Sequence, residues 1–346
     1  VAEAARQRLL WLDYAKGIGI LLVVAGHLMR GLVDNGLVSA NAPGYQWFDF
    51  TLYTFHMPLF FFLSGLTAAQ SLDKGRAPFL KSKLWTIAWP YVLWSIAFGI
   101  LRVLFSSKGV TWDRLAWIPI YPMSIFWFLY VLLMCHLVFA FWPQQRRGWL
   151  LGLSIAAFAT SEFIPETAKA VWPPLFMFFG AMPFYMAGHY LKDFAAKAPL
   201  KLWTVPALAA GFALSVLAAH ALVGWRYQSI LAVPASLFGI AAVIALSRQV
   251  SLRAGAALAL LGAASMTIYV SHTLIASIVR KALERLGIND LPSNIAILFV
   301  VCIVLPVAAH YVLKRLNWLP VFGLAAPVKR RDATKPPTAT GIEPAA

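Results

Sequence analysis

The sequence predicts an all-α fold, a polytopic transmembrane bundle of about ten helices. Three observations predict it. Hydrophobic residues fill 61% of the 346 positions and charged residues 12%, with a mean hydropathy of +0.73; soluble domains sit nearer roughly half apolar and a quarter charged. Ten apolar stretches approach the roughly 20 residues that a helix needs to cross hydrocarbon. Basic residues, finally, concentrate in alternate connections between those stretches.

The stretches cover residues 14–33, 50–71, 83–105, 122–142, 148–163, 171–191, 200–221, 228–247, 257–279 and 292–313, the fifth being the shortest. The first run is long and carries ionisable residues, unlike a cleaved signal peptide. With the N-terminus in the cytoplasm, most of the 29 Lys and Arg fall on the inner side. They run from Arg6 and Arg8 through Lys74, Arg76, Lys81, Lys83, Arg146, Arg147 and Lys192 to Lys314 and Arg315. That bias places both termini in the cytoplasm. One outer loop, with Arg280, Lys281 and Arg285, runs against the trend and is partly balanced by Glu284 and Asp290. The expected organisation is a cytoplasmic segment 1–13, a transmembrane domain 14–315 and a cytoplasmic, largely disordered tail 316–346, polar and Pro-rich after Pro327. The aromatic, amphipathic loop 106–121 is expected at the outer interface.

Several function classes drop out. The net charge of +16 reads as positive-inside charge on a membrane protein, not as a nucleic-acid surface. Cys135 and Cys302 lie in apolar runs, which suits neither a disulfide framework nor a thiolate metal site. There is no H-E-x-x-H, no P-loop and no G-x-S-x-G in a strand-turn-helix context, so no metal is expected and an ATPase or serine hydrolase is disfavoured. Composition leaves the oligomeric state open.

The first helix carries a polar stripe. Lys16 and His27 are eleven positions apart, which at 100° per residue puts them within about 20° of one another. Asp34 falls in line with Lys16, and Asp13 and Arg30 flank it, so every ionisable residue of "DYAKGIGILLVVAGHLMRGLVD" occupies an arc of about 100°. Charges in hydrocarbon face a bundle interior or a wet cavity. Lys16, Asp13, Arg30 and Asp34 sit near helix ends, where snorkelling explains them equally well. His27 lies about 20 Å above the inner end, too deep for that explanation; a buried histidine satisfied by a neighbouring carbonyl is its alternative, with function favoured at this depth. Gly19 and Gly26 on this helix allow close approach of a neighbour.

His56 in "TLYTFHMPLFFFLSGL" enters the second helix from outside and reaches a similar depth. Pro58 frees a backbone carbonyl nearby, so the alternative for His56 is a hydrogen bond to that carbonyl. Ser64 and Gly65 are small enough for close helix contact. In "SMTIYVSHTL", Ser265, Tyr269 and His272 share one helical face. Trp127 and Phe128 in "SIFWFLYVLL" fit an aromatic belt as well as a site. His136, His189, His220 and His310 receive no chemistry, and Glu162 and Glu166, in an outer loop, could serve an acceptor but read by default as solvated loop charges.

"DYAKGIGILLVVAGH" resembles the opening helix of the acyltransferase 3 family of integral-membrane O-acyltransferases, in which a basic residue and a histidine are separated by ten residues, as Lys16 and His27 are here. "FHMPLFFFLSG" from Phe55 to Gly65 resembles the second-helix motif of the fucose 4-O-acetylase-like branch. "WFLYVLL" and "IYVSH" resemble further family positions, and the likeness spans about residues 8–315. It implies transfer of an acyl group, usually acetyl, from cytoplasmic acyl-CoA to a hydroxyl of an extracytoplasmic or lipid-linked saccharide, by a multi-pass protein of the bacterial inner membrane. Lys16 stands where many relatives carry arginine; it keeps the charge and loses the bidentate fork.

On this reading Lys16, Asp13 and Arg30 serve the acyl-CoA donor (acetyl-CoA above all), with Asp13 pairing to Lys16. Arg6, Arg8, Lys81 and Lys83 add cations for its phosphates. The rise from Lys16 to His27 is about 16 Å, a span for the pantetheine arm. His27 is assigned as general base and His56 as its orienter or as donor to the oxyanion or the leaving thiolate. An acyl-histidine intermediate is the variant of that scheme. Ser64, Trp127, Tyr269 and His272 are assigned to the acceptor. The partners are then acyl-CoA, a saccharide and membrane lipids. A transporter or flippase of a small solute or lipid-linked glycan is the rival class; it commonly shows internal repeats and broken helices, and no repeat is present.

Overall fold

The computed structural model describes residues 2–105 and 111–327; side chains are described from Leu10 onward, apart from Phe105, Leu252 and Ala254. The segment 106–110 of the expected interfacial loop, and the tail from 328, lie outside the described residues. In chain order the helices are α1 (Ala2–Asp34), α2 (Pro43–Leu72), α3 (Arg76–Lys83), α4 (Trp89–Phe105), α5 (Asp113–Ala116), α6 (Trp127–Phe141), α7 (Arg147–Ser161), α8 (Glu166–Lys169), α9 (Pro173–Tyr190), α10 (Lys192–Lys197), α11 (Thr204–Val223), α12 (Val233–Gln249), α13 (Leu252–Ala263), α14 (Ser265–Arg285) and α15 (Leu291–Arg315). No strand occurs among the described residues, so the all-α expectation holds.

All ten expected stretches are helical. Among the described residues seven helices are long and apolar enough to cross a membrane, and the count reaches eight with one bent pair. The stretches 148–163 and 171–191 became α7 and α9, of 15 and 18 residues, which fall outside that set. The ninth stretch corrects an expectation. Instead of one continuous span, α13 and α14 meet at 75° around the fully buried Ala264. The third is continuous from α3 to α4 through a π-turn at Leu84–Ala88. Pro90, just beyond it, has no N–H for the α-helical ladder, and a π-turn absorbs that defect.

α1 and α2 form the centre. α1 packs on α2, α12, α13, α14 and α15, and α2 on α1, α6, α9 and α12. Two contacts are set by reciprocal glycines. A side chain at Gly17 would strike the Leu258 carbonyl of α13, and one at Gly262 would strike the Asp13 carbonyl of α1. Likewise Gly65 of α2 faces the Tyr185 carbonyl of α9, while Gly188 of α9 faces the Phe62 carbonyl. Such backbone-to-backbone approach tolerates no Cβ. It also explains the bend at Ala264, since α13 follows α1 closely before α14 turns away. Between α1 and α2, Gly19 receives the Phe60 ring and Gly26 receives Leu52 and Tyr53. These contacts run antiparallel, so the end of α2 lies beside the start of α1.

The beginning of the expected tail is docked on the bundle. Trp89 and Trp94 of α4 donate their indole N–H groups to the carbonyls of Val321 and Phe322, each at 3.0 Å, and Gly323 abuts Pro90. α1 is helical from Ala2, so residues 2–13 of the expected N-terminal segment continue directly into the first helix.

Candidate functional site

Pro58 removes the N–H that would bond the Thr54 carbonyl four residues earlier. Ser236 of α12 supplies the missing donor, its hydroxyl lying 2.6 Å from that carbonyl. The carbonyl freed by the proline is therefore satisfied from α12 and not by His56. His56, with no exposed surface, instead places Nδ1 2.7 Å from the Leu52 carbonyl. A carbonyl only accepts, so Nδ1 carries the proton and Nε2 is the bare acceptor of the neutral ring. That Nε2 is buried and has no partner. His272 repeats the arrangement. Its Nδ1 donates to the carbonyls of Ile268 and Tyr269 at 3.0 and 2.8 Å, and its Nε2 is buried and unpaired.

His27 joins the two. Its ring centroid lies 5.3 Å from that of His272 and 6.2 Å from Tyr53, and Tyr53 lies 4.5 Å from His56. Three histidines and a tyrosine from α1, α2 and α14 thus form one cluster. The Tyr53 hydroxyl is buried without a hydrogen-bond partner. Arg30, one turn above His27, lays its guanidinium carbon 3.3 Å over the Tyr53 ring and binds Asp49 through Nε and Nη2 at 2.7 and 2.9 Å, with Tyr227 Oη 3.3 Å from Nη2.

Through His27 and Tyr53 this cluster borders a cavity of about 640 Å³ that Arg30, Trp127 and Tyr269 also line, whereas His56 and His272 do not line it. Apolar walls come from Met57, Pro58, Phe61 and Phe184, and the far side from Glu162, Lys169 and residues 226–229. Glu162 is not a solvated loop charge, as expected from sequence. It is 17% exposed, accepts from the Ser229 hydroxyl at 3.1 and 3.0 Å and from the Ile230 N–H, and has Arg226 3.8 Å away. It fixes the 226–230 segment as one wall. Glu166, 85% exposed and paired with Lys169, does behave as a solvated charge.

The structure brings His27, His56, His272, Tyr269, Trp127 and Arg30 to this region and leaves others elsewhere. Tyr269 donates to the Ile125 carbonyl beside Trp127. Ser64 donates to Phe60 at 2.8 Å within α2 and does not reach the cavity. Lys16 pairs with Asp13 at 3.2 Å, as expected, but midway along α1, half-exposed and outside the cavity. Arg30 is separated from them by about 21 Å of helix rise. Sequence reasoning missed Asp49, Tyr53 and Tyr227. The first two had a signal: Asp49, Tyr53 and His56 follow i, i+4, i+7 spacing on α2. Tyr227, distant in sequence, had none. Among the described residues no group of three or more His, Cys, Asp or Glu is arranged to hold a metal ion.

A multi-pass helical membrane protein with a histidine cluster beside a cavity of mixed polar and apolar lining is the class that fold and site define. Residues 9–311 match the acyltransferase domain of the acyltransferase 3 family, and the chain belongs to that family. It is 28% identical to the nodulation protein NolL of Mesorhizobium japonicum over 179 residues, 51% of this chain and 46% of that one, so the match spans about half the length of this curated relative. No solved structure matches.

Proposed function

We propose that the protein is an acyl-CoA-dependent O-acyltransferase, with acetyl-CoA the favoured donor and a hydroxyl of an extracytoplasmic or lipid-linked saccharide as acceptor. His27 acts as the general base. The observation that carries this reading is the convergence of His27, His56, His272 and Tyr53, with His27 and Tyr53 lining the cavity. Family membership supports the acyl chemistry; the cavity, with its aromatic and paired-charge lining, supports a polar acceptor. The rival of a transporter gains nothing from an enclosed histidine cluster with fixed tautomers.

In this mechanism the acceptor hydroxyl sits against His27, which takes its proton as the oxygen attacks the thioester carbonyl. The C–O bond forms, the carbonyl electrons move onto oxygen, and the Tyr53 hydroxyl donates to that oxyanion. Collapse breaks the C–S bond, and the proton held by His27 passes to the departing thiolate. The products are the O-acyl ester and CoA thiol. His56 and His272, whose Nδ1 protons are committed to carbonyls, offer only acceptor nitrogens. They therefore orient and stabilise the His27 imidazolium and do not act as acids. Lys16 and Asp13 hold the donor midway along α1. The setting is the bacterial inner membrane, with both termini cytoplasmic.

The test is release of CoA thiol from acetyl-CoA by purified protein in liposomes, with acceptor glycan followed by mass spectrometry. His27→Ala should lower transfer by about 10²–10⁴-fold while the protein stays folded and inserted. Near-normal transfer in that variant refutes the assignment.

A further inference from the structure

A second polar cluster lies at the other end of the bundle and takes no part in this chemistry. Arg147, the first residue of α7, is only 7% exposed. Its guanidinium carbon lies 4.1 Å over the ring of the fully buried Phe139, and its Nε is buried without a partner. It forms no hydrogen bond or ion pair among the described residues. Asp73, the acid whose charge bears on it, is exposed and not within ion-pair distance. A buried guanidinium without a counter-ion is costly, and such groups are normally paired.

The surroundings of Phe139 show what would pair with it. Tyr185 and His189 of α9 have ring centroids 5.6 and 5.0 Å from Phe139. The Tyr185 hydroxyl is fully buried and unpartnered, and so is Nδ1 of His189. Three side chains that can donate, all with unused buried atoms, therefore surround one ring. Arg76 of α3 adds positive charge at the same end, over the adjacent Phe141 and bonded to the Ala140 carbonyl at 3.1 Å. The close contact of Gly65 with the Tyr185 carbonyl places this cluster level with the end of α2, hence on the Lys16 side of α1 and away from the cavity.

We propose that Arg147, Tyr185 and His189 form a binding site for the oxyanion of a phosphate ester. The guanidinium fork supplies two parallel N–H donors to phosphate oxygens, and the phenol and imidazole supply single donors beside it. A neutral ligand would leave the guanidinium charge uncompensated, whereas a phosphate satisfies the charge and the unused donors together. The phosphate belongs either to a soluble nucleotide-type molecule or to a lipid headgroup. Only the choice of CoA as the soluble candidate rests on the proposed function; the site itself does not.

The experiment is calorimetric titration of the full chain in a phosphate-free maltoside detergent. The probes are coenzyme A, dihexanoyl phosphatidylglycerol and, as a control without phosphate, pantetheine. One or both phosphate probes should bind and pantetheine should not. Arg147→Gln should weaken binding about tenfold or more and Tyr185→Phe about threefold, the scale of losing charged and neutral hydrogen bonds. Tyr185→Phe keeps the ring and its packing, so it reports even where Arg147→Gln fails to fold. His27→Ala should bind like the unaltered protein, which separates this site from the proposed catalytic one. Binding of coenzyme A alone assigns the site to a soluble phosphate, and binding of the lipid alone assigns it to the membrane. Binding of neither, or equal binding in both substituted forms, overturns the proposal.

Discussion

Asp49→Asn tests the frame around the histidine cluster. Arg30 is held by a two-point pair with Asp49, by Tyr227 and by the face of Tyr53, and its side chain is 32% exposed against 18% for Asp49. Breaking a fully buried pair by removing one partner costs roughly 3–5 kcal/mol, because the remaining charge stays buried. Partial exposure lets water reach Arg30, and asparagine keeps one acceptor, so the expected loss here is about 2 kcal/mol. Arg30→Gln alone should cost a similar amount through its lost bonds to Asp49 and Tyr227. The pair replaced together leaves no unpaired charge, so the double variant should be less destabilised than the sum of the singles by about 1–2 kcal/mol. Unfolding titrations in mixed micelles measure all four proteins, with acyl transfer measured in parallel. Because Arg30 fixes Tyr53 over the cluster, Asp49→Asn should also lower transfer. Strict additivity in the cycle, or a single variant with unaltered stability, would refute the coupling argued here.

Ser236→Ala removes the donor that satisfies the Thr54 carbonyl opposite Pro58. It should cost about 1–3 kcal/mol, visible as a lowered unfolding midpoint, whereas a neutral outcome would mean that the carbonyl finds another partner. Gly188→Val should separate α9 from α2, because a Cβ there meets the Phe62 carbonyl. The expected outcome is loss of monodisperse protein on size-exclusion chromatography, with Gly152→Val, where a side chain meets nothing within 4 Å, as the tolerated control. Glu162→Gln should loosen the Ser229–Ile230 wall and raise KM for the acceptor while kcat changes less. An unchanged KM would remove that wall from acceptor binding.

The fold was legible wherever length and apolarity decide it, and all ten stretches are helices. The bend at Ala264 was not, because it follows from how closely α13 lies on α1, a property of paired glycines distant in sequence. The polar stripe of α1 gave His27, and the spacing in α14 gave Tyr269 and His272 together. That they meet depends on packing among α1, α2 and α14, which periodicity alone does not reveal. The stripe misled in one respect. Lys16 and Arg30 share a helical face and so look like one site, but a face runs the length of the helix, and the two lie about 21 Å apart along it. From sequence Glu162 reads as solvated because a carboxylate in a connection normally is; only the returning 226–230 segment gives it donors.

The separation along α1 bears on how acyl transfer has to work. Between Lys16 and His27 the helix is packed: Ile20, Val23 and Val24 are each 1% exposed, and Phe60 fills the groove at Gly19. Phe128 continues the barrier, its ring 5.9 Å from Phe60, 5.0 Å from Phe61 and 5.5 Å from Tyr269. In the proposed reaction a donor held by Lys16 reaches His27 only if these rings part along α1. Aromatic rings in edge contacts separate by rotamer changes, while the glycine-locked backbones of α1–α13 and α2–α9 cannot yield in the same way. The rigid contacts thus fix the helices on either side, and the movable ones lie on the path between Lys16 and His27. In the proposed reaction such a barrier would keep the His27 cavity closed to water from the Lys16 side until a donor arm occupies the gap.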